Sequence, residues 1–180
     1  PLPPYGGAFG INDSSVVVTK IKVVGDEFHA IKWRDGVVLN VLGTLGGVSS
    51  SQANAINNVG QVVGSSGTST GLTRAFLSDG KSMINLGVLP GNLASAAADI
   101  NELGQIVGTS TGLGPSRGFI YSNGTMSDIG SLGGGSTIPY AINESGHVVG
   151  RSSNGTGLSA FFYDGNSMAD LGITPATSSV

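Results

Sequence analysis

The sequence predicts an all-β protein: a β-propeller of four four-stranded antiparallel blades. Three features carry this. A ten-residue sentence recurs as "AINNVGQVVG" from Ala55, "DINELGQIVG" from Asp99 and "AINESGHVVG" from Ala141. The Asn that follows Ile recurs at Asn12, Asn57, Asn101 and Asn143, at spacings of 45, 44 and 42. A turn dipeptide keeps nearly the same period at Asp35-Gly36, Asp79-Gly80, Asn123-Gly124 and Asp164-Gly165. Repeats of about 44 residues are the length of one propeller blade. The chain therefore reads as one domain over 1–180, with repeats at roughly 5–46, 47–90, 91–134 and 135–175.

Each repeat supplies four strand signals. The first strand is short and ends in Ile-Asn: "AFGIN", "ANAIN", "AADIN" and "PYAIN". A tight turn follows, closed by Gly60, Gly104 or Gly146, where Asn bonds the backbone ahead and Gly accepts the left-handed conformation. The second strand is "QVVGSS", "QIVGTS" or "HVVGRS", β-branched and alternating. The third is "HAIKWRDG", "RAFLSDG", "RGFIYSNG" or "SAFFYDG", and it runs into the Asp-Gly or Asn-Gly hairpin signal. The fourth is "VVLNVLG", "SMINLG", "TMSDIG" or "SMADLG". The run "NLASAAADIN" from Asn92 to Asn101 is Ala-rich, but it aligns with the first strand of the other units and reads as strand.

A single blade cannot bury both its faces, so blades stack and a closed ring leaves no edge. Ala53, Ala55, Ala97, Ala98, Ala141 and Gly10 suit the crowded innermost strand. Trp33, Phe76, Phe119, Phe161 and Phe162 are expected between blades. The same repeats also fit half of a larger propeller completed by a second chain, or a linear β stack. Antiparallel Asp-Gly hairpins favour blades over a solenoid of parallel strands.

The joint pattern of A-x-x-I-N-x-x-G-Q-V-V-G, R-A-F-L and L-G-G resembles the HAF-type bacterial extracellular repeat family. The tripeptide positions are His29-Ala30-Ile31, Arg74-Ala75-Phe76, Arg117-Gly118-Phe119 and Ser159-Ala160-Phe161, of which only the first keeps the histidine. The resemblance implies a secreted or surface-exposed, propeller-like protein. It brings no catalytic residues with it.

Composition narrows the function. Charged residues are 11% of the chain and net charge is −3, with the eight Lys and Arg scattered. No basic patch is available to neutralise phosphates, which excludes nucleic acid as the expected partner. The absence of cysteine excludes disulfides, a thiolate nucleophile and Cys-ligated zinc. No apolar run is long enough for a membrane-spanning segment. The chain starts at Pro1, which fits a processed form or a piece of something longer.

No catalytic constellation emerges, and the expectation is a protein that is not an enzyme. Asp128 and Asp170 recur at a position that Asn40 and Asn85 occupy in the other repeats, which suits a structural role better than an acid–base pair. His29 and His147 lack metal-ligand spacing, and no calcium loop or phosphate loop is present, so no metal and no cofactor is expected. The polar residues expected on the face with the longer loops are Arg74, Arg117, Arg151, Asn92, Asn154 and Tyr140. Repeated around a ring, they suit multivalent recognition of surface carbohydrate or extracellular polymer. The competing reading of Arg74 and Arg117 is that they pin a nearby loop or carboxylate. Among the Asn-x-Ser/Thr triplets at Asn12, Asn123, Asn143 and Asn154, the last lies in an open loop and is the best glycosylation acceptor.

The leading functional expectation is thus an extracellular or cell-surface binding and adhesion module. The alternative is a structural subunit of a filament or surface layer that self-associates through blade edges. Its terminal segments "PLPPYGG" and "ITPATSSV" would then act as exchangeable strands or linkers.

Overall fold

The computed structural model describes residues 7–23, 25–46 and 50–172. Nearly all of the proposed exchangeable termini lie outside this range. The described residues form sixteen strands in four antiparallel sheets, with no helix. The first sheet is β1 (Gly10–Ile11), β2 (Val17–Lys22), β3 (Phe28–Arg34) and β4 (Val37–Gly43). The second is β5 (Ser51–Ile56), β6 (Val62–Gly67), β7 (Thr73–Ser78) and β8 (Met83–Asn85). The third is β9 (Asn92–Ile100), β10 (Ile106–Gly112), β11 (Arg117–Ser122) and β12 (Thr125–Asp128). The fourth is β13 (Thr137–Ile142), β14 (Val148–Ser153), β15 (Leu158–Tyr163) and β16 (Met168–Asp170). Strands pair in sequence order within every sheet, as four blades require.

The Ile-Asn turn is built as its sequence suggests. In the second blade Gly60 N donates to Asn57 O at 3.0 Å and Asn57 N to Gln61 O at 3.1 Å. Gly60, Gly104 and Gly146 all have positive φ. The first blade makes the same turn with Ser15 at φ 58°, so a side chain occupies a conformation that glycine takes elsewhere. The Asx-Gly hairpins divide into two kinds. Asp35-Gly36 and Asn123-Gly124 have positive φ at both residues, the type I′ geometry that matches strand twist. At Asp79 and Asp164 only the glycine does, and the Asp side chain accepts from two backbone N–H groups ahead of it.

The glycine of "VVG" has a cause the repeat alone does not reveal. The first strands of the last three blades are bulged, with register shifts at Ala53/Ala55, at Val107/Gly108 on the partner strand, and at Pro139/Ala141. The bulged backbone presses into the glycine opposite. A Cβ at Gly108 would stand 2.2 Å from Ala96 O and 2.7 Å from Phe119 Cζ. Gly64 and Gly150 are hemmed in by Gln52 O and Ile138 O in the same way. The bulge also carries Asp99 Oδ2 to the N–H of Ile142 on the next blade, at 2.9 Å.

The apolar core lies between consecutive blades. Val18, Ala30, Ala53, Ile56, Val62 and Phe76 join the first to the second. Val63, Ala75, Leu86, Ala97, Ile100 and Phe119 join the second to the third. Val107, Ile129, Ile142, Val148 and Phe161 join the third to the fourth. Phe76, Phe119 and Phe161 are fully buried, as expected; Trp33 and Phe162 are only half-buried. Strand alternation explains Phe162, which follows Phe161 and turns to the other face; Trp33 shares the face of Ile31 but lies two residues on, near the end of β3 beside the Asp35-Gly36 turn. Among the small inner-strand residues, Ala53 and Ala97 are buried, Ala55 and Ala98 half-buried, and Ala141 exposed. Packing of this kind runs from each blade to the next, and among the described residues none of comparable extent joins the fourth blade to the first. The blades form an open arc.

Candidate functional site

The residues expected to face a ligand divide by what holds them. Arg74, on β7, donates through Nη1 to Thr73 O and to Leu93 O of the next blade. Arg117, on β11, donates to Pro90 O at 3.0 Å and forms a two-point pair with Asp128 at 2.6 and 2.8 Å. Asn92 Nδ2 donates to Ser110 Oγ at 3.1 Å. Arg117 pins the end of the connection between β8 and β9 at Pro90, while Arg74 and Asn92 fasten the start of β9. Asn154 sits in a compact turn: its Oδ1 accepts from Thr156 N and Gly157 N, both at 3.1 Å, and its Nδ2 donates to Asp170. The nitrogen that a glycan would join is thus engaged. Arg151 and Tyr140 are exposed, and neither side chain has a hydrogen bond or ion pair among the described residues. Tyr140 is the bulge residue of β13 and lies apart from the Arg74–Arg117 group in the fold.

The recurring acids are tied to their own turns. Asp128 Oδ1 accepts from Gly130 N at 2.9 Å and Asp170 Oδ1 from Gly172 N at 2.8 Å. Asn85 Oδ1 accepts from Gly87 N at 2.9 Å, which explains why Asn and Asp interchange here. The Ser159 hydroxyl, the Asn154 amide and the Gly172 N–H hold the Asp170 carboxyl below the usual aspartate range. His147 packs its ring edge-on against Phe162 at 5.2 Å. No group of three or more His, Asp or Glu among the described residues is placed to hold a metal ion. No helix among them is long and apolar enough to cross a membrane.

A polar cleft of about 290 Å³ opens between the first and second blades, where Lys20 faces Ser50, Gln52, Ser65, Ser66 and Thr73. Lys20 Nζ donates to Gln52 Oε1 at 2.9 Å and lies 5.2 Å from the centre of the Phe28 ring. Gln52 Nε2 donates onward to Asn54 Oδ1 at 3.0 Å. Ser66 Oγ is occupied by Leu45 N and Gly67 O. The hydroxyls of Ser65 and Thr73 have no partner among the described residues. The cleft thus combines fixed donors and acceptors with free hydroxyls beside an aromatic ring.

None of these cleft residues belongs to the six expected from the sequence. The available signal was a break in the repeat. Lys20 stands where other blades carry Ser65, Thr109 and Arg151, and Gln52 where they carry Ala96 and Ile138.

No protein-family model matches the chain, and no curated protein does. Among solved structures, the chain is similar to the β-propeller domain of the trilobed protease from Pyrococcus furiosus, described as having an open velcro topology. The TM-score is 0.65 at 13% identity, over 99% of this chain and 55% of that one. The likeness shows the fold, that of β-propeller blades, and the chain spans little more than half of that chain's length.

Proposed function

We propose that the chain is a non-enzymatic binding module, secreted or exposed at a cell surface, that takes an uncharged polar polymer of the carbohydrate class. The cleft between the first and second blades carries this reading. Lys20, Gln52, Ser65 and Thr73 line it with hydrogen-bond donors and acceptors, and the Lys20 ammonium is held between Gln52 and the Phe28 ring. Sites of this kind orient a ligand by a few convergent polar groups. Two further points support a non-enzymatic role: Asp128 and Asp170 are engaged as turn acceptors, and no acid pair faces the cleft. The low-charge, Ser/Thr-rich composition and the resemblance to HAF-type repeats support an extracellular setting.

The test is a glycan and polysaccharide array followed by titration of any hit. The expected result is weak but saturable binding that drops at least tenfold in Lys20→Ala and Gln52→Ala. Absence of binding at high micromolar protein would overturn the reading.

A further inference from the structure

Two rails of hydrogen bonds run from blade to blade. In the first, Asn12 Nδ2 donates to Asn57 O at 3.2 Å, Asn57 to Asn101 O at 3.2 Å, and Asn101 to Asn143 O at 3.0 Å. In the second, Asp13 N donates to Asn58 Oδ1 at 2.8 Å, Asn58 N to the Glu102 carboxylate at 2.8 Å, and Glu102 N to the Glu144 carboxylate at 3.1 Å. Each rail stops at the fourth blade. Among the described residues, nothing accepts from Asn143 Nδ2 or from Glu144 N.

The apolar packing stops at the same place. Val18, Val63 and Val107 hold one position on successive blades and are fully buried; Val149 holds it on the fourth and is 42% exposed. Leu86, Ile129 and Leu171 each donate their N–H to the matching residue of the third strand, Ala75, Gly118 and Ala160. Leu86 is 6% exposed and Ile129 5%, against 48% for Leu171. The opposite end of the arc shows the complement. Ile56, Ile100 and Ile142 each pack back against the preceding blade and are at most 8% exposed, whereas Ile11 is 66% exposed. Beside it lies an apolar hollow of about 270 Å³ formed by Ala8, Phe9, Gly10 and Val17. The first blade also holds what both rails lack: Asn12 O stands where Asn57, Asn101 and Asn143 accept, and the Asp13 carboxylate where Glu102 and Glu144 accept.

We propose that the exposed side of the fourth blade docks the first blade of a second copy of this chain, head to tail, so that two copies close one ring of eight blades. The contact repeats the three interfaces already inside the chain. Asn143 Nδ2 donates to Asn12 O of the other copy and Glu144 N to its Asp13, while Val149 and Leu171 cover its Ile11. His147 replaces the glutamine of Gln61 and Gln105, but this does not block the rail: Val16 stands in the same place in the first blade, and Asn12 still donates forward. A head-to-tail contact gives a ring when its rotation closes and a filament when it does not. Two arcs of four blades, each spanning about half of a propeller, suit closure. The inference is independent of the sugar-binding reading, because the cleft lies at an internal interface.

Light scattering on the eluted 180-residue chain tests this. The expected mass is twice 17.9 kDa at micromolar concentration, falling to 17.9 kDa in Ile11→Asp and in Leu171→Asp with an unchanged circular dichroism spectrum. Because the chain has no cysteine, the double variant Asp13→Cys/Glu144→Cys is expected to give a covalent dimer on oxidation, and neither single variant is. This pair is exposed and reports the contact even if an Asp variant misfolds. A monomer at every concentration would overturn the proposal and leave the face to a blade from another chain. So would open-ended assembly, or a dimer that survives both Asp substitutions and gives no cross-link.

Discussion

Asn57 Nδ2 donates across a blade interface to the carbonyl of Asn101, 44 residues later, at 3.2 Å. The same amide holds Gln61 Oε1 at 2.8 Å, and its Oδ1 accepts from Gln61 N at 2.9 Å. One side chain therefore closes its own turn and fastens the next blade. Both Asn57 and Asn101 are buried, so their loss strands polar groups away from water. Asn101→Ala is expected to destabilise the chain by about 2–4 kcal/mol in urea unfolding, at roughly 1–3 kcal/mol per buried group left unpaired. In the monomeric Leu171→Asp background, where no second copy offers Asn12 O, Asn143→Ala is expected to cost about 1 kcal/mol or less. Equal losses at the two positions would show that the turn, and not the rail, is what the Asn secures.

A second prediction concerns the bulge and its glycine. Gly108→Ala places a methyl group 2.2 Å from Ala96 O, where backbone must move. Overpacking of this kind costs about 1–3 kcal/mol and sometimes more. Gly114→Ala meets nothing within 4 Å and has no positive φ, so it is expected to be neutral or to stabilise by about 0.4–1 kcal/mol. Thermal denaturation of the pair separates a packing cause from a general intolerance of glycine loss.

Ser15 gives a third prediction, with the opposite sign. It adopts φ 58° in the turn where the other blades have Gly60, Gly104 and Gly146. A non-glycine residue in this region carries about 1–2 kcal/mol of strain. Ser15→Gly is expected to raise stability by roughly half to all of that strain, since glycine also gains freedom in the unfolded chain. A lower melting temperature in Ser15→Gly would mean that the serine makes a compensating contact.

The features legible in the sequence are those written by local chemistry. An Ile-Asn strand end and an Asx-Gly turn each need their residues within a few positions, so the period and the sixteen strands could be read directly. The face that a side chain serves was harder. Arg74 and Arg117 look like a ring of ligand-binding cations, but their partners, Leu93 O at the start of β9 and Pro90 O in the connection before it, are not announced by any spacing. Phe161 and Phe162 are adjacent and similar, and only the alternation of β15 decides which one is buried. The Gly of "VVG" was visible as a repeat, yet its cause lies across the sheet in a bulge. Lys20 was hidden for a different reason: a search for what repeats passes over the residue that breaks the repeat.

The acid limb of stability is the last prediction. In the Asp79 and Asp164 turns, backbone N–H groups ahead of the carboxylate hold both carboxyls below the usual aspartate range: Ser82 then Lys81 for Asp79, and Ser167 then Asn166 for Asp164. The unfolded chain titrates near the ordinary value of about 3.9, so below it the unfolded state binds more protons than the folded state. Stability then rises with pH across that window. The contribution is complete above the ordinary aspartate value and is lost as pH falls through the lowered folded values. Melting temperature is therefore expected to drop between about pH 5 and pH 2. In Asp79→Asn/Asp164→Asn the amide oxygen can still accept from the turn, as Asn85 Oδ1 does from Gly87 N, but it does not titrate over this range. That double variant is expected to fold and to show a shallower acid slope. An unchanged slope would move the acid sensitivity to Asp170, which the Ser159 hydroxyl lowers in the same direction.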